Sequence, residues 1–205
     1  MIIGISGKAG HGKDTVGRML QYCFNTELSM AYSSFLLLPK YQQHPYSIVK
    51  FASTLKWIVA LVTDTRVDFI ECNKSALMSN DWSRVVQLTE FDTDDGVDGF
   101  SSIPYTYREF LQQVGSKLRE VHPDFWINSL TIPDNCIITD VRYRNEVDHI
   151  LSKKGKLIRV NGHGFTGDHP SETELDDYPF EYILHNTSTV DNLLQQVIML
   201  YKSLI

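Results

Sequence analysis

Between an apolar opening, MIIGIS, and an amphipathic run, KDTVGRMLQYCF, lie the nine residues GKAGHGKDT, from Gly7 to Thr15. Gly7, Gly12 and Lys13 match the spacing G-x-x-x-x-G-K, and the match falls between a predicted strand and a predicted helix, the context in which that spacing has physical meaning. Glycines let successive backbone N–H groups turn inward around an anion. The following helix presents its positive end, and the lysine can reach the outer phosphates of a nucleotide. Gly7, Ala9, Gly10, His11, Gly12, Lys13, Asp14 and Thr15 are therefore read as a nucleotide-binding loop. A strand, loop and helix in this order also restrict the fold, because a parallel neighbour to that strand can be reached only through a long crossover.

The rest of the chain supplies such crossovers. SIVKF at 47–51 reads as a second short strand and ASTLKWIVALV as the helix after it. YREFLQQVGSKLREV is helical, with Phe110, Leu111, Val114 and Leu118 spaced to share one face. CIITDV is another β-rich run, RYRNEVDHILSKK a helix, KLIRV a strand, EYILHN a strand and TVDNLLQQVIMLYKSLI the last helix. Five strands joined by helices predict a five-stranded parallel sheet with helices on both faces. The expected organisation is one domain over 1–205, with an irregular insertion near 63–105, helical around Val67 to Leu77, and a polar, glycine-containing cover near 161–180.

Composition narrows the partners. A net charge of −6 argues against a general nucleic-acid binder, whose footprint would be basic. No apolar run is long enough to suggest a membrane partner, and MIIGIS has no basic leader or cleavage site, so a cytoplasmic location is expected. Cys23, Cys72 and Cys136 are odd in number and widely spaced, as reduced thiols would be. The acidic run around Glu90, Asp92, Asp94, Asp95 and Asp98 departs from a calcium loop, with Gly96 at its fifth position and Ile103 at its twelfth, and reads as a solvated loop.

Asp14 stands where a serine or threonine is expected after the loop lysine. Bare phosphates would repel it. A magnesium ion reverses that sign, since a hard cation can be shared by carboxylate, water and phosphate. A carboxylate in a first helical turn is also favoured by the helix dipole, so capping is the alternative.

GKDT in the loop, FASTLK at 51–56, YREFLQQVGSKLR at 107–119, TDVRYRNE at 139–146 and HPSE at 169–172 together resemble the deoxynucleoside monophosphate kinases encoded by bacteriophages. The resemblance runs through nearly the whole chain in the right order. It implies the P-loop kinase fold with an inserted segment and a lid, ATP and magnesium as cofactors, and transfer of the γ-phosphate of ATP to a deoxynucleoside monophosphate. It leaves a homodimer open.

Phosphoryl transfer needs alignment of two anionic substrates and neutralisation of the charge on the moving group. No lysine or arginine lies between Arg159 and Lys202, although the lid falls there and related kinases often carry lid arginines. That work falls to Lys13, Arg108, Arg119, Arg142 or Arg144, with magnesium, and Lys13, Asp140, Arg142 and Arg144 are read as the catalytic set. Ligands of open α/β sheets bind beyond the carboxyl ends of strands, and Asp140 and Arg142 follow CIIT directly. Asp140 is read as a water-mediated magnesium ligand or a partner orienting Arg142, and Arg142 as a phosphate clamp, against a structural salt bridge at a helix start. Arg144 stands where the family more often has proline.

Arg108 and Gln112, four apart on one helix face, are read as acceptor-binding, the arginine for phosphate and the amide for a base edge. Arg119 is either a third acceptor contact or a surface cation, and Lys56 meets phosphate or solvent. Trp57 and Phe110 are base-stacking or core residues. Asn186 and Thr187 are read as adenine contacts, against capping by Ser188 or Thr189. His163, His169 and Glu172 lack supporting ligands for a transition metal, and the resemblance gives His169, Ser171 and Glu172 the organisation of the lid. Two other readings remain: a kinase of this architecture for another acceptor, such as dephospho-coenzyme A or phosphomevalonate, and a regulatory module that holds ATP without transferring phosphate.

Overall fold

The computed structural model describes residues 1–39, 46–88, 99–164 and 169–205. The acidic run at 90–98 and residues 165–168 of the expected lid lie outside them. The chain forms two compact units, one of residues 1–53 with 124–205 and one of residues 54–123.

The larger unit is built on strands β1 (Ile2–Ser6), β2 (Ser47–Val49), β5 (Cys136–Val141), β6 (Lys156–Gly162) and β7 (Tyr182–Asn186). They form one sheet in the order β2-β5-β1-β6-β7, and every neighbouring pair is parallel. All five strands expected from sequence are present, in an α/β architecture like that of the P-loop kinases. β1 is central and buried along its whole length, as an apolar run covered on both faces must be.

Alternation along β1 divides the core. Ile3 and Ile5 pack with Val16, Met19 and Leu20 of α1 (Lys13–Thr26) and Leu193 and Val197 of α9 (Val190–Leu204). Gly4 faces the other way, toward α7 (Arg144–Ser152); a Cβ there would lie 2.6 Å from Ile150 Cδ1 and 2.9 Å from Leu157 Cδ2. The missing side chain is what lets α7 close on the sheet. Thr189 caps α9 by accepting the Asn192 amide at 3.2 Å, as one of the sequence alternatives proposed.

The smaller unit contains α3 (Ser53–Val62, from its second residue), α4 (Val67–Cys72), a 3₁₀ turn (Asn80–Trp82), strands β3 (Ser83–Leu88) and β4 (Gly99–Pro104), and α5 (Tyr107–Val121). β3 and β4 form an antiparallel pair, from Ser83 opposite Pro104 to Leu88 opposite Gly99. The segment read as irregular thus carries a hairpin, and its helix ends at Cys72 rather than near Leu77. α5 starts at Tyr107 because Thr106 and Glu109 make a reciprocal capping box: Thr106 Oγ1 accepts the Glu109 amide at 3.2 Å and Glu109 Oε2 accepts the Thr106 amide at 2.9 Å. Of its expected apolar face only Leu111 is buried, beside Gly115, while Phe110, Val114 and Leu118 are half-buried.

The remaining short helices are α2 (Tyr32–Leu36), α6 (Phe125–Asn128) and α8 (Pro170–Thr173). No helix among the described residues is long and apolar enough to cross a membrane. Cys23, Cys72 and Cys136 are free thiols, and burial pushes Cys23 up to about 12 and Cys136 to about 11.

Candidate active site

The loop from Gly7 to Gly12 leaves the carboxyl end of β1 and enters α1 at Lys13. Gly12 takes φ 90° and ψ 21°, a left-handed conformation that costs an L side chain about 1–2 kcal/mol. Space excludes one as well, since a Cβ at Gly12 would lie 2.4 Å from Asn186 Nδ2 and one at Gly7 would lie 2.5 Å from the Val160 carbonyl oxygen. The loop is held from behind: His11 Nδ1–H donates to the Val160 carbonyl at 3.1 Å, and Asn186 Nδ2 donates to the His11 carbonyl at 3.2 Å. Asn186, read from sequence as an adenine contact, here braces the loop; Thr187 beside it is exposed.

Lys13 folds back over the loop, donating to the carbonyls of Gly7 at 2.6 Å and Lys8 at 2.7 Å. It is 9% exposed. Burial, with a smaller contribution from the Arg142 guanidinium, lowers its pKa to about 8 against the opposing pull of Glu172, Asp14 and Asp140. These five residues therefore share one electrostatic neighbourhood.

Asp14, in the first turn of α1, accepts the Thr139 hydroxyl at 2.7 Å, and Lys50 Nζ lies 2.9 Å from each of its oxygens. Desolvation pushes its carboxyl up, but Thr139 and Lys50 outweigh that and hold it below the usual carboxylate range. Neither partner is apparent in the sequence. Lys50 is the residue after β2 and Thr139 lies within β5, so they meet Asp14 only because β5 is hydrogen-bonded to both β2 and β1. Thr15 is exposed beside Asp14.

Asp140 and Arg142, two apart in sequence, have different partners. Asp140 Oδ1 accepts the Phe51 amide at 2.8 Å and Oδ2 the Ala52 amide at 2.9 Å, which fixes the turn after β2. Arg142 Nη1 donates to the Ser171 carbonyl at 2.6 Å and to Glu172 Oε1. Its backbone amide donates at 2.7 Å to Glu146, a 1% exposed carboxylate that also accepts the Tyr143 amide. Arg144 Nη2 donates to both Asp177 oxygens, at 2.7 and 2.8 Å, in an exposed ion pair.

HPSE folds as a capped turn. His169 Nδ1 accepts the Ser171 amide at 3.2 Å, Pro170 opens α8, and the third residue of that helix, Glu172, reaches the loop, where its Oε2 accepts the Ala9 amide at 2.8 Å. Four residues on, Asp176 accepts from Lys8 and Arg159, each at 2.7 Å. The stretch without cations thus presents acids, Glu172, Asp176 and Asp177, to cations carried elsewhere in this unit. Sequence counting finds the missing cations but cannot find this inversion, because the partners are distant in the chain.

The acceptor candidates belong to the smaller unit. Lys56 is 8% exposed and pairs with Glu71, whose carboxyl, raised by burial, is pulled down to about 2 by Lys56 and Lys74. Arg108, Gln112 and Arg119 lie half-buried on α5, and the Arg108 amide donates to the Lys74 carbonyl at 2.8 Å. Phe110 sits edge-on to Trp82 with ring centroids 5.0 Å apart, a packing role; Trp57 is 69% exposed. His163 is exposed. Among the described residues no group of three or more His, Cys, Asp or Glu could hold a metal.

No family model matches the chain. Among curated proteins, it is 26% identical over an alignment 234 positions long to the deoxynucleoside-5'-monophosphate kinase of Escherichia phage T5, covering 90% of this chain and 88% of that one. It is 31% identical over 115 residues to a provisionally named deoxynucleotide monophosphate kinase of Acanthamoeba polyphaga mimivirus, covering 45% of this chain and 60% of the mimivirus protein. The chain is thus a distant homologue of viral deoxynucleoside monophosphate kinases, with a P-loop kinase-like architecture to match.

Proposed function

We propose that the protein is a kinase of nucleotide metabolism that transfers the γ-phosphate of ATP to a deoxynucleoside monophosphate. One observation carries this reading: the loop lysine, the Asp14 carboxylate and the Arg142 guanidinium converge at the carboxyl ends of β1 and β5, on a chain alignable over 90% of its length with a phage enzyme of that name. Such an end of an open parallel sheet is where α/β proteins bind ligands.

In this reading the amides of Gly10 to Asp14 and the start of α1 grip the phosphates of ATP, and Lys13 exchanges its two carbonyl contacts for phosphate oxygens. Arg142 sets its planar fork against the phosphoryl group in transit. Asp14 is the residue that would hold magnesium, its carboxylate being an oxygen donor of the kind a hard cation takes, in exchange for its contacts with Thr139 and Lys50. Asp140 takes an outer role, since its two oxygens already accept amides. Bound magnesium would neutralise charge on the phosphate oxygens. Lys50 supplies a protein cation against the same carboxylate. Lys56, Arg108, Gln112 and Arg119 are proposed for the acceptor, Arg144 for the outer field of the site, and Thr187 for adenine.

The test is a panel of the four common deoxynucleoside monophosphates, their ribose counterparts, dephospho-coenzyme A and phosphomevalonate, each with ATP and magnesium. Acceptor-dependent ADP with a deoxynucleotide supports the reading, and ADP only with a non-nucleotide acceptor replaces it. ATP binding without acceptor-dependent ADP would leave a regulatory module. Arg108→Ala should raise KM for the acceptor and leave that for ATP unchanged.

A further inference from the structure

Glu172 is a buried carboxylate whose connections the proposed reaction does not use. Its side chain is 3% exposed. One oxygen accepts the Ala9 amide of the phosphate-binding loop at 2.8 Å; the other accepts Arg142 Nη1, which also donates to the Ser171 carbonyl at 2.6 Å. The carboxylate therefore ties the loop to the arginine through a single rigid group.

The division of the guanidinium is informative. Nη1 makes both bonds to the 171–172 turn, while Nε and Nη2 make no protein hydrogen bond among the described residues, and the side chain is 25% exposed. One corner of the fork is anchored and the rest is left for another anion. Phosphate, which takes two parallel N–H donors, matches what remains. Placing a carboxylate here is costly, since an ion pair removed from water regains its desolvation energy only with good geometry and further hydrogen bonds. A turn that needed only packing would be served as well by an apolar residue. The turn itself is built to aim this side chain: His169 caps it and Pro170 opens it, with Glu172 two residues on.

We infer that Glu172 is a positioning residue for phosphoryl transfer, fixing Arg142 to the third residue of the phosphate-binding loop so that the guanidinium and the loop amides approach the transferred group as one unit. The inference rests on the kinase reading above. Glu172 touches no reacting atom in this role. It acts through Arg142, and a displacement of about 1 Å in such a group can cost two orders of magnitude in rate.

The experiment is a double-mutant cycle on the full chain, with ATP, magnesium and the acceptor that the wild type turns over best. Glu172→Gln keeps size but weakens both contacts, and should lower kcat about 10- to 100-fold while KM for ATP changes less than about threefold. In an Arg142→Ala background the same substitution should lower kcat by less than about threefold further, because its route to the reaction is gone. Full additivity would overturn the inference, as would a Glu172→Gln variant with normal kcat. Tighter ATP binding with unchanged kcat would overturn it too, and would make Glu172 a phosphate mimic displaced by the nucleotide. Should Glu172→Gln not fold, Glu172→Asp carries the test: the charge is kept but the carboxylate is withdrawn from Ala9 and Arg142 by one methylene, so kcat should fall about 10-fold with KM for ATP changed less than about threefold, and a retained rate refutes the inference. A wild type that makes no ADP with any acceptor would instead remove the kinase reading itself, an outcome separable from all of these.

Discussion

The lysine of the phosphate-binding loop should report its own protonation when ATP binds. Burial and Arg142 bring Lys13 from 10.5 down to about 8, and its Nζ donates to two loop carbonyls. About half of the molecules therefore carry a neutral amine at pH 8, roughly a tenth at pH 7 and roughly nine tenths at pH 9, by the ordinary titration relation. Polyphosphate beside the amine favours the charged form, so its pKa rises in the complex and binding must take up the missing protons. Proton uptake per ATP bound should climb from about 0.1 at pH 7 through about 0.5 at pH 8 to about 0.9 at pH 9, a range in which phosphate groups are themselves ionised. Calorimetric titration with a non-hydrolysable ATP analogue in two buffers of different ionisation enthalpy measures this number directly. Lys13→Arg supplies the control, since a guanidinium stays protonated throughout and its uptake should vanish. Uptake below about 0.1 at both pH 8 and pH 9, or the same uptake in Lys13→Arg, would refute the assignment of a partly neutral, phosphate-facing lysine. The sign extends to folding: between pH 8 and 10.5 the unfolded chain binds the proton that the folded one lacks, so this residue's contribution makes the ligand-free protein more stable as pH rises through that window.

Gly12→Ala should cost about 2 kcal/mol in urea unfolding, because φ 90° strains an L residue and the new methyl meets Asn186 Nδ2; pairing it with Asn186→Ala should recover part of the loss. Thr106→Ala removes the capping box of α5 and should lower stability by about 1 kcal/mol with little change in ATP affinity, measured by unfolding and by calorimetry. Asp140→Asn has one acceptor oxygen for two amides, so about 1–3 kcal/mol should be lost, and hydrogen exchange should quicken at Phe51 and Ala52. Asp14→Ser tests the metal role: the magnesium concentration needed for half-maximal rate should rise about tenfold or more, and an unchanged requirement would leave Asp14 as a helix-capping acid.

Most of the large unit is legible in the order of its residues alone. The five strands are short apolar or β-branched runs separated by helix-length amphipathic segments, and that alternation has few solutions other than a parallel sheet covered on both faces. The loop is equally legible, because glycine spacing between a strand and a helix is a local property. The β3–β4 hairpin is not: SRVVQL and GFSSIP are weakly patterned, and the ten residues that separate them are too many for the signature of a short hairpin turn.

What tertiary structure alone decided is the set of partners. Asp140 and Arg142 look like a pair in the sequence, yet the end of β5 sends one to the amides of 51 and 52 and the other to Ser171 and Glu172. Lys50 joins Asp14, and Glu172 joins Ala9, across 36 and 163 residues of chain. Local sequence determines which way a backbone turns, since propensity and spacing act within a few bonds. Long-range electrostatic pairing depends on how crossovers return strands to one sheet edge, and only the folded chain sets those distances.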